Sequence, residues 1–186
     1  YKGENAYPLL DEWIEKESER YWKSKEFLEG LPWETEQMSP AAVDMYRQYG
    51  LFPIGDTVRS VSPWWYHVDL ETKKRWFGPT GGFDSEIGWS IYLKRREERL
   101  KRMQRLYEDS SASLTEEFPP TASGEQHIPL IDSIVNDKET ILQLNIPNRG
   151  AISGIPEDVV VEIPVVVSGR GVRGIHVGAL PKRLMM

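Results

Sequence analysis

The chain has 186 residues, 39% of them hydrophobic, and 23 Lys+Arg against 29 Asp+Glu give a formal net charge of −6. Length and apolar content suit one soluble domain with a core of its own and room for a satellite lobe. The acidic balance argues against a nucleic-acid binder, no apolar run approaches the roughly 20 residues that span a bilayer, and the absence of Cys excludes disulfides, thiolate metal sites and a Cys nucleophile within the chain.

In chain order, Tyr7 to Gly30 reads as one long helix. Leu9, Leu10, Trp13, Ile14, Tyr21, Phe27 and Leu28 fall near helical spacing, and Gly30 and Pro32 close it. A second helix is predicted from Ser39 to Tyr49, with Ser39 as N-cap, Pro40 at the first helical position and Gly50 as its stop. Leu51 to Phe83 is dense in aromatics, Pro and Gly with poor periodicity, and predicts an ordered loop with short helical turns. Ser85 to Glu108 carries the strongest helical pattern, with Ile87, Ile91, Leu100, Met103 and Leu106 as a buried stripe. Within it, Lys94 to Arg102 is a charge run. A phosphate-binding surface is conceivable there, but a solvated face with ion pairs such as Glu98–Arg102 is the favoured reading.

Ser110 to Glu125 is predicted as loop or lid, and Ile128 to Val135 as a short helix. Then the chain changes character. Thr140–Ile146 and Val159–Val167 are β-branched runs, Gly171–Val177 is a weaker third strand, and Pro164 implies an edge position or a bulge. Helices first and strands after predict an α+β fold of long helices and a small mixed or antiparallel sheet. The start at Tyr1 and the apolar end at Leu184-Met185-Met186 predict a piece of a longer protein.

Few motifs carry chemistry outright. There is no G-x-G-x-x-G, no Walker motif and no H-E-x-x-H, and Gly78-Pro79-Thr80-Gly81-Gly82 is a weak phosphate cradle with no strand before it. His67, His127 and His176 lie far apart, so each reads as structural or surface. Two stretches stand out. In Pro53-Ile54-Gly55-Asp56-Thr57-Val58-Arg59 a carboxylate follows Gly in an aromatic-rich loop, with Arg three residues on. Apolar surroundings raise a carboxylate toward general-base range, while a nearby Arg lowers it and binds anionic or hydroxyl-rich ligands. A capping Asp and a surface Arg explain the same pattern equally well. The second stretch, Leu144 to Pro156, offers Asn145, Asn148 and Arg149 among Gly positions, where a self-satisfied turn competes with, and is favoured over, a sugar- or phosphate-binding loop. Trp64, Trp65, Tyr66 and Trp76 lean toward core rather than sugar-stacking surface.

Residues 145–164, NIPNRGAISGIPEDVVVEIP, resemble the N-x-P-N-x-G-x-I-x-x-L-P-x-D-x-x-V-E-x-P signature of glycoside hydrolase family 4, with Ile155 where Leu is usual. Tyr49 to Asp56 with Arg59, and Ser123-Gly124-Glu125, add to the likeness, which covers the chain as the C-terminal half of such an enzyme. The resemblance implies a domain similar to the C-terminal domain of lactate- and malate-dehydrogenase-like enzymes, serving substrate binding and oligomerisation across residues 1–186. It implies NAD and a divalent metal, usually manganese, both held mainly by an absent N-terminal part, with no metal ligand in this chain. Hydride leaves the sugar's third carbon for the nicotinamide, a base removes the proton on the second carbon, the aglycone departs, water adds and the hydride returns.

By the same resemblance Asp56 matches the base of the α-glycosidase branch, and Arg59 matches an Arg at the substrate. Asn148 and Arg149 are expected to bind substrate. The implied substrate is an α-glucoside, α-galactoside or hexuronide, the implied partner a second copy in a homodimer or homotetramer, and the implied location cytoplasmic, with neither nucleic acid nor membrane as partner. A stand-alone sugar-binding or oligomerisation module and a different dehydrogenase are the alternatives. The second lacks any His–Asp catalytic motif here.

Overall fold

The computed structural model describes residues 6–59, 61–121 and 124–185, and the chain divides into a unit ending at Ala112 and another beginning at Ser113. The first unit is built of short helices. The single helix predicted over Tyr7–Gly30 is three: α1 (Tyr7–Lys16), α2 (Ser18–Tyr21) and α3 (Lys25–Glu29). Ser18 accounts for the first break, because its hydroxyl donates to the Ile14 carbonyl at 2.6 Å and competes with the helical ladder. Ser24 accounts for the second. Its Oγ accepts from the Phe27 N–H at 3.3 Å and caps a new helix.

After α4 (Pro32–Thr35) and a 3-10 turn at Glu36–Met38 comes α5 (Pro40–Tyr49), which keeps both predicted ends. Ser39 Oγ accepts from Ala42 N–H at 3.3 Å, and Gly50 closes the helix at φ 77°, a left-handed value that favours glycine. Ala41, Ala42 and Met45 of α5 meet Val58, Tyr66 and Phe77 in this unit's core. Each of the larger members gains about 1.5–3 kcal/mol on burial. The predicted loop Leu51–Phe83 holds α6 (Asp56–Arg59), a 3-10 turn at Trp64–Tyr66 and a fuller helix, α7 (Leu70–Phe77), capped by Asp69, whose carboxylate accepts from Thr72 N–H at 2.7 Å. Of its aromatics, Tyr66 is core and Trp76 stands edge-on to it at 4.9 Å, whereas Trp64 and Trp65 are exposed.

The helix α8 (Glu86–Glu108) forms as predicted, with Ser85 Oγ accepting from Gly88 N–H at 2.8 Å. Its stripe is not buried. Ile87, Leu100 and Met103 are exposed, and Ile91 and Leu106 are only half-buried. The helix is anchored by its first turn instead, where a side chain at Gly88 would collide with the Gly82 carbonyl. The turn Gly78–Gly82 is packed rather than open: a Cβ would stand 2.9 Å from Phe27 at Gly78 and 3.0 Å from Phe77 at Gly82. It is a structural turn.

The second unit starts with a one-turn helix, α9 (Leu114–Glu117), inside the predicted loop, followed by α10 (His127–Val135). Ser123, part of one family match, lies outside the described residues. Strands β1 (Thr140–Pro147), β3 (Val160–Ser168) and β4 (Gly171–Gly174) form an antiparallel sheet in the order β1-β3-β4, while β2 (Ile152–Ser153) and β5 (Gly178–Ala179) form a short parallel pair. Leu142, Ile163, Val165 and Val167 pack with Ala151 and Ile152 as this unit's core.

Pro164 corrects a prediction, since it lies in the central strand rather than on an edge. Opposite it on β1, Gln143 turns its N–H and C=O away, to the Gln126 carboxamide at 2.8 and 3.1 Å. The missing Pro164 N–H therefore faces the β4 side, where the ladder stops at Gly174 and only the Pro164 carbonyl is used, by Ile175 N–H at 2.9 Å. Locally the proline has its edge after all.

Candidate functional site

Asp56 and Arg59 sit on α6, a single turn gripped from two directions. From inside, Val58 is fully buried in the core. From behind, the Gln37 carboxamide clamps the incoming loop. Its Nε2 donates to Pro53 O at 2.6 Å, and its Oε1 accepts from Gly55 N–H at 2.8 Å. Gly55 reverses the chain between them at φ 56°. With Val58 turned inward, Asp56 projects outward and its side chain is 80% exposed. The apolar enclosure expected around Asp56 is therefore not there.

Enclosure falls instead on Glu36, which the sequence did not single out. This residue is 1% exposed, and its Oε2 accepts from Phe83 N–H at 3.0 Å. Burial pushes its carboxyl above the ordinary value, against the pull of the Phe83 N–H and the Arg59 guanidinium. Arg59 links the two acids. Its Nε lies 2.7 Å from Glu36 Oε1 and 3.5 Å from Asp56 Oδ1, and its guanidinium carbon stands 5.4 Å from the Phe83 ring centroid. The close contact to Glu36 is ionic without being an aligned hydrogen bond, so the Arg59 Nε–H remains undirected. A buried acid thus holds a guanidinium against an exposed acid. The arrangement fixes Arg59 between the two acids.

In the second unit, β1 leaves the sheet through a turn with Arg149 at φ 43° and Gly150 at φ 82°. Asn148, expected to bind substrate, is 1% exposed and fully engaged within this turn. Its Nδ2 donates to Ile152 O at 3.0 Å and Ile155 O at 2.8 Å, and its Oδ1 accepts from Ile152 N–H at 2.7 Å. With no polar atom left for a ligand, its role is to shape the loop. Arg149 is exposed and lines a cleft of about 460 Å³ with Arg173 and His176. His176 Nδ1 lies 3.0 Å from Gly150 O, and since a carbonyl only accepts, that nitrogen carries the proton.

His67 is structural, as expected. It stacks on Phe77 at 5.2 Å and pairs with Ser62 Oγ at 2.6 Å, and burial lowers its pKa. Among the described residues no three His, Asp or Glu side chains converge as a metal site. The sequence carries no dinucleotide fingerprint. No local pattern would have revealed Glu36 or Gln37, because their partners lie 47 and 16–18 residues away along the chain.

A profile of the family 4 glycosyl hydrolase C-terminal domain matches residues 1–186. The chain is 32% identical over 143 residues to an α-galacturonidase from Thermoanaerobacterium saccharolyticum, a span that covers 74% of this chain and 28% of that protein. It is 48% identical over 52 residues to a Bacillus subtilis protein named as a 6-phospho-β-glucosidase, covering 28% of this chain and 12% of that one. A crystal structure from Bacillus subtilis described as a glucosidase, lplD, matches with a TM-score of 0.68 at 26% identity over 100% of this chain and 40% of that chain. The chain thus spans less than half the length of each of these proteins. No helix among the described residues is long and apolar enough to cross a membrane.

Proposed function

The chain belongs to the family 4 glycosyl hydrolases, and from that premise we propose that it is the substrate-handling and assembly part of an α-glycosidase. The observation that carries this reading is the exposed Asp56 carboxylate on an anchored helical turn, 3.5 Å from an Arg59 that a buried acid holds in place. Asp56 acts as the base that withdraws the proton from the sugar's second carbon, once a neighbouring carbonyl has made that proton acidic. Arg59 fixes a sugar oxygen beside it, and Glu36 keeps Arg59 aimed. Arg149, exposed in the second unit's own cleft, is a substrate contact on the family likeness alone, and Asn148 holds its loop.

A carboxylate at position 56, where the β-directed branch of the family carries Tyr, supports α-linked substrates. The complete protein uses NAD and a divalent metal such as manganese, bound mainly by an N-terminal part outside this chain, and works as a homodimer or homotetramer in the cytoplasm. In the complete enzyme, Asp56→Asn lowers turnover of a chromogenic α-glycoside by about 10²–10⁴-fold with NAD affinity kept. Near-normal turnover in that variant would remove Asp56 from the role.

A further inference from the structure

The aromatic loop after α6 has a feature that the catalytic reading leaves unused. Large apolar side chains belong inside a fold, so a tryptophan held out in water on a firm mount is informative. Trp64 is 75% exposed, Trp65 beside it is exposed as well, and so are Val61 and Val68, which flank the pair in sequence.

The mount is a closed turn. Within the 3-10 turn at Trp64–Tyr66, Tyr66 N–H donates to Pro63 O at 3.1 Å and His67 N–H donates to Trp64 O at 2.9 Å. Ser62 Oγ and His67 Nε2 clasp its ends at 2.6 Å. Tyr66 is fully buried, its hydroxyl donates to Asp44 Oδ2 at 2.6 Å, and the Trp65 ring lies against it at 5.7 Å. Trp64 then stands edge-on to Trp65, with ring centroids 6.2 Å apart and planes at 78°, so the two indoles form a corner with aromatic walls. Rings already held in place bind a ligand without a further ordering cost.

Two observations say what suits the corner. The first is charge. Residues 61–68 include no Asp, Glu, Lys or Arg, and burial pushes His67 toward its neutral form. Such a surface offers ring faces and no charge, which fits a neutral ring, either the C–H face of a pyranose or an aryl group. The second is position. Val61 N–H donates to the Asp56 carbonyl at 3.2 Å, and the three residues from there to Trp64 span at most about 11 Å. A glycoside held at Asp56 by its sugar has its leaving group within that range.

We propose that Trp64, backed by Trp65, is the stacking platform for a neutral ring in the leaving group of the glycoside, and that it determines which aglycones are preferred. The proposal rests on the glycosidase reading in placing the scissile linkage at Asp56, and it adds the residue that reads the departing side.

The test compares leaving groups. The complete enzyme is assayed with phenyl and methyl α-galacturonide and with phenyl and methyl α-glucoside, each pair sharing one sugar. Trp64→Ala raises KM about tenfold for the phenyl member of the cleaved pair and leaves the methyl member within about twofold. Trp64→Phe keeps most of the preference. Trp64→Leu, which retains bulk without a ring face, loses it as Ala does, and it decides the matter should the Ala variant fold poorly. An equal effect on both members, or none on either, overturns the proposal. A changed oligomeric mass in light scattering, with both KM values unmoved, assigns the corner to a protein contact and overturns it too. If the unmodified enzyme cleaves neither pair, the glycosidase reading fails, and calorimetric titration with the same four compounds still decides the platform. The phenyl forms then bind about tenfold tighter than the methyl forms, and Trp64→Ala removes the difference. Equal binding of phenyl and methyl forms by the unmodified protein overturns the proposal.

Discussion

The two polar loops of this molecule are finished in opposite ways. At Asn148 the carboxamide spends both donors and its acceptor on the main chain of its own turn. At α6, Arg59 Nε and Glu36 Oε1 meet at 2.7 Å without an aligned bond, and the Asp56 side chain beside them is exposed. The Asn148 loop is closed upon itself, whereas the α6 turn presents an exposed carboxylate beside a guanidinium.

Substitutions separate the two. The largest effect belongs to Asp56→Asn, whose loss of turnover should come with a stability change within about 0.5 kcal/mol, since the group is exposed. Asn148→Ala should do the reverse. It strands buried main-chain groups and lowers unfolding free energy by about 2–4 kcal/mol in urea titration; an unaltered midpoint would erase the contrast between the loops. Gln37→Ala, which opens the clamp on Pro53 and Gly55, should cost about 1–2 kcal/mol and raise KM as Asp56 loses its fixed perch. The subtlest test is pH. Burial raises the Glu36 carboxyl above its ordinary 4.5, so the folded state holds that proton more tightly than the unfolded chain. Its contribution is complete below 4.5 and is lost as pH climbs through the raised folded value. Glu36→Gln should flatten that fall in unfolding free energy measured across the same range.

What the sequence disclosed was local. Ser39, Pro40 and Gly50 spell a start and a stop within one helix, and they were readable because each acts on backbone a few residues away. The helix over Tyr7–Gly30 misled for a related reason: its apolar spacing was right, but Ser18 and Ser24 each found a main-chain partner that interrupted it. The stripe on α8 had correct periodicity, yet periodicity does not say whether another element covers the face. The edge position or bulge expected at Pro164 came from the proline itself, whereas strand order, which only the fold supplies, places it in the central strand. Asp56 and Arg59 stood out in their loop and drew their expected roles from the family resemblance, while Glu36 acquires meaning only when Phe83 folds back over it.

The grip of Gln37 has one more implication. It fastens onto a carbonyl and an amide, atoms that every residue owns, and asks nothing of the side chains at positions 53 to 55 beyond a backbone able to bend at Gly55. The exposed Ile54 can therefore be exchanged for larger or more polar side chains without unlatching the turn that carries Asp56.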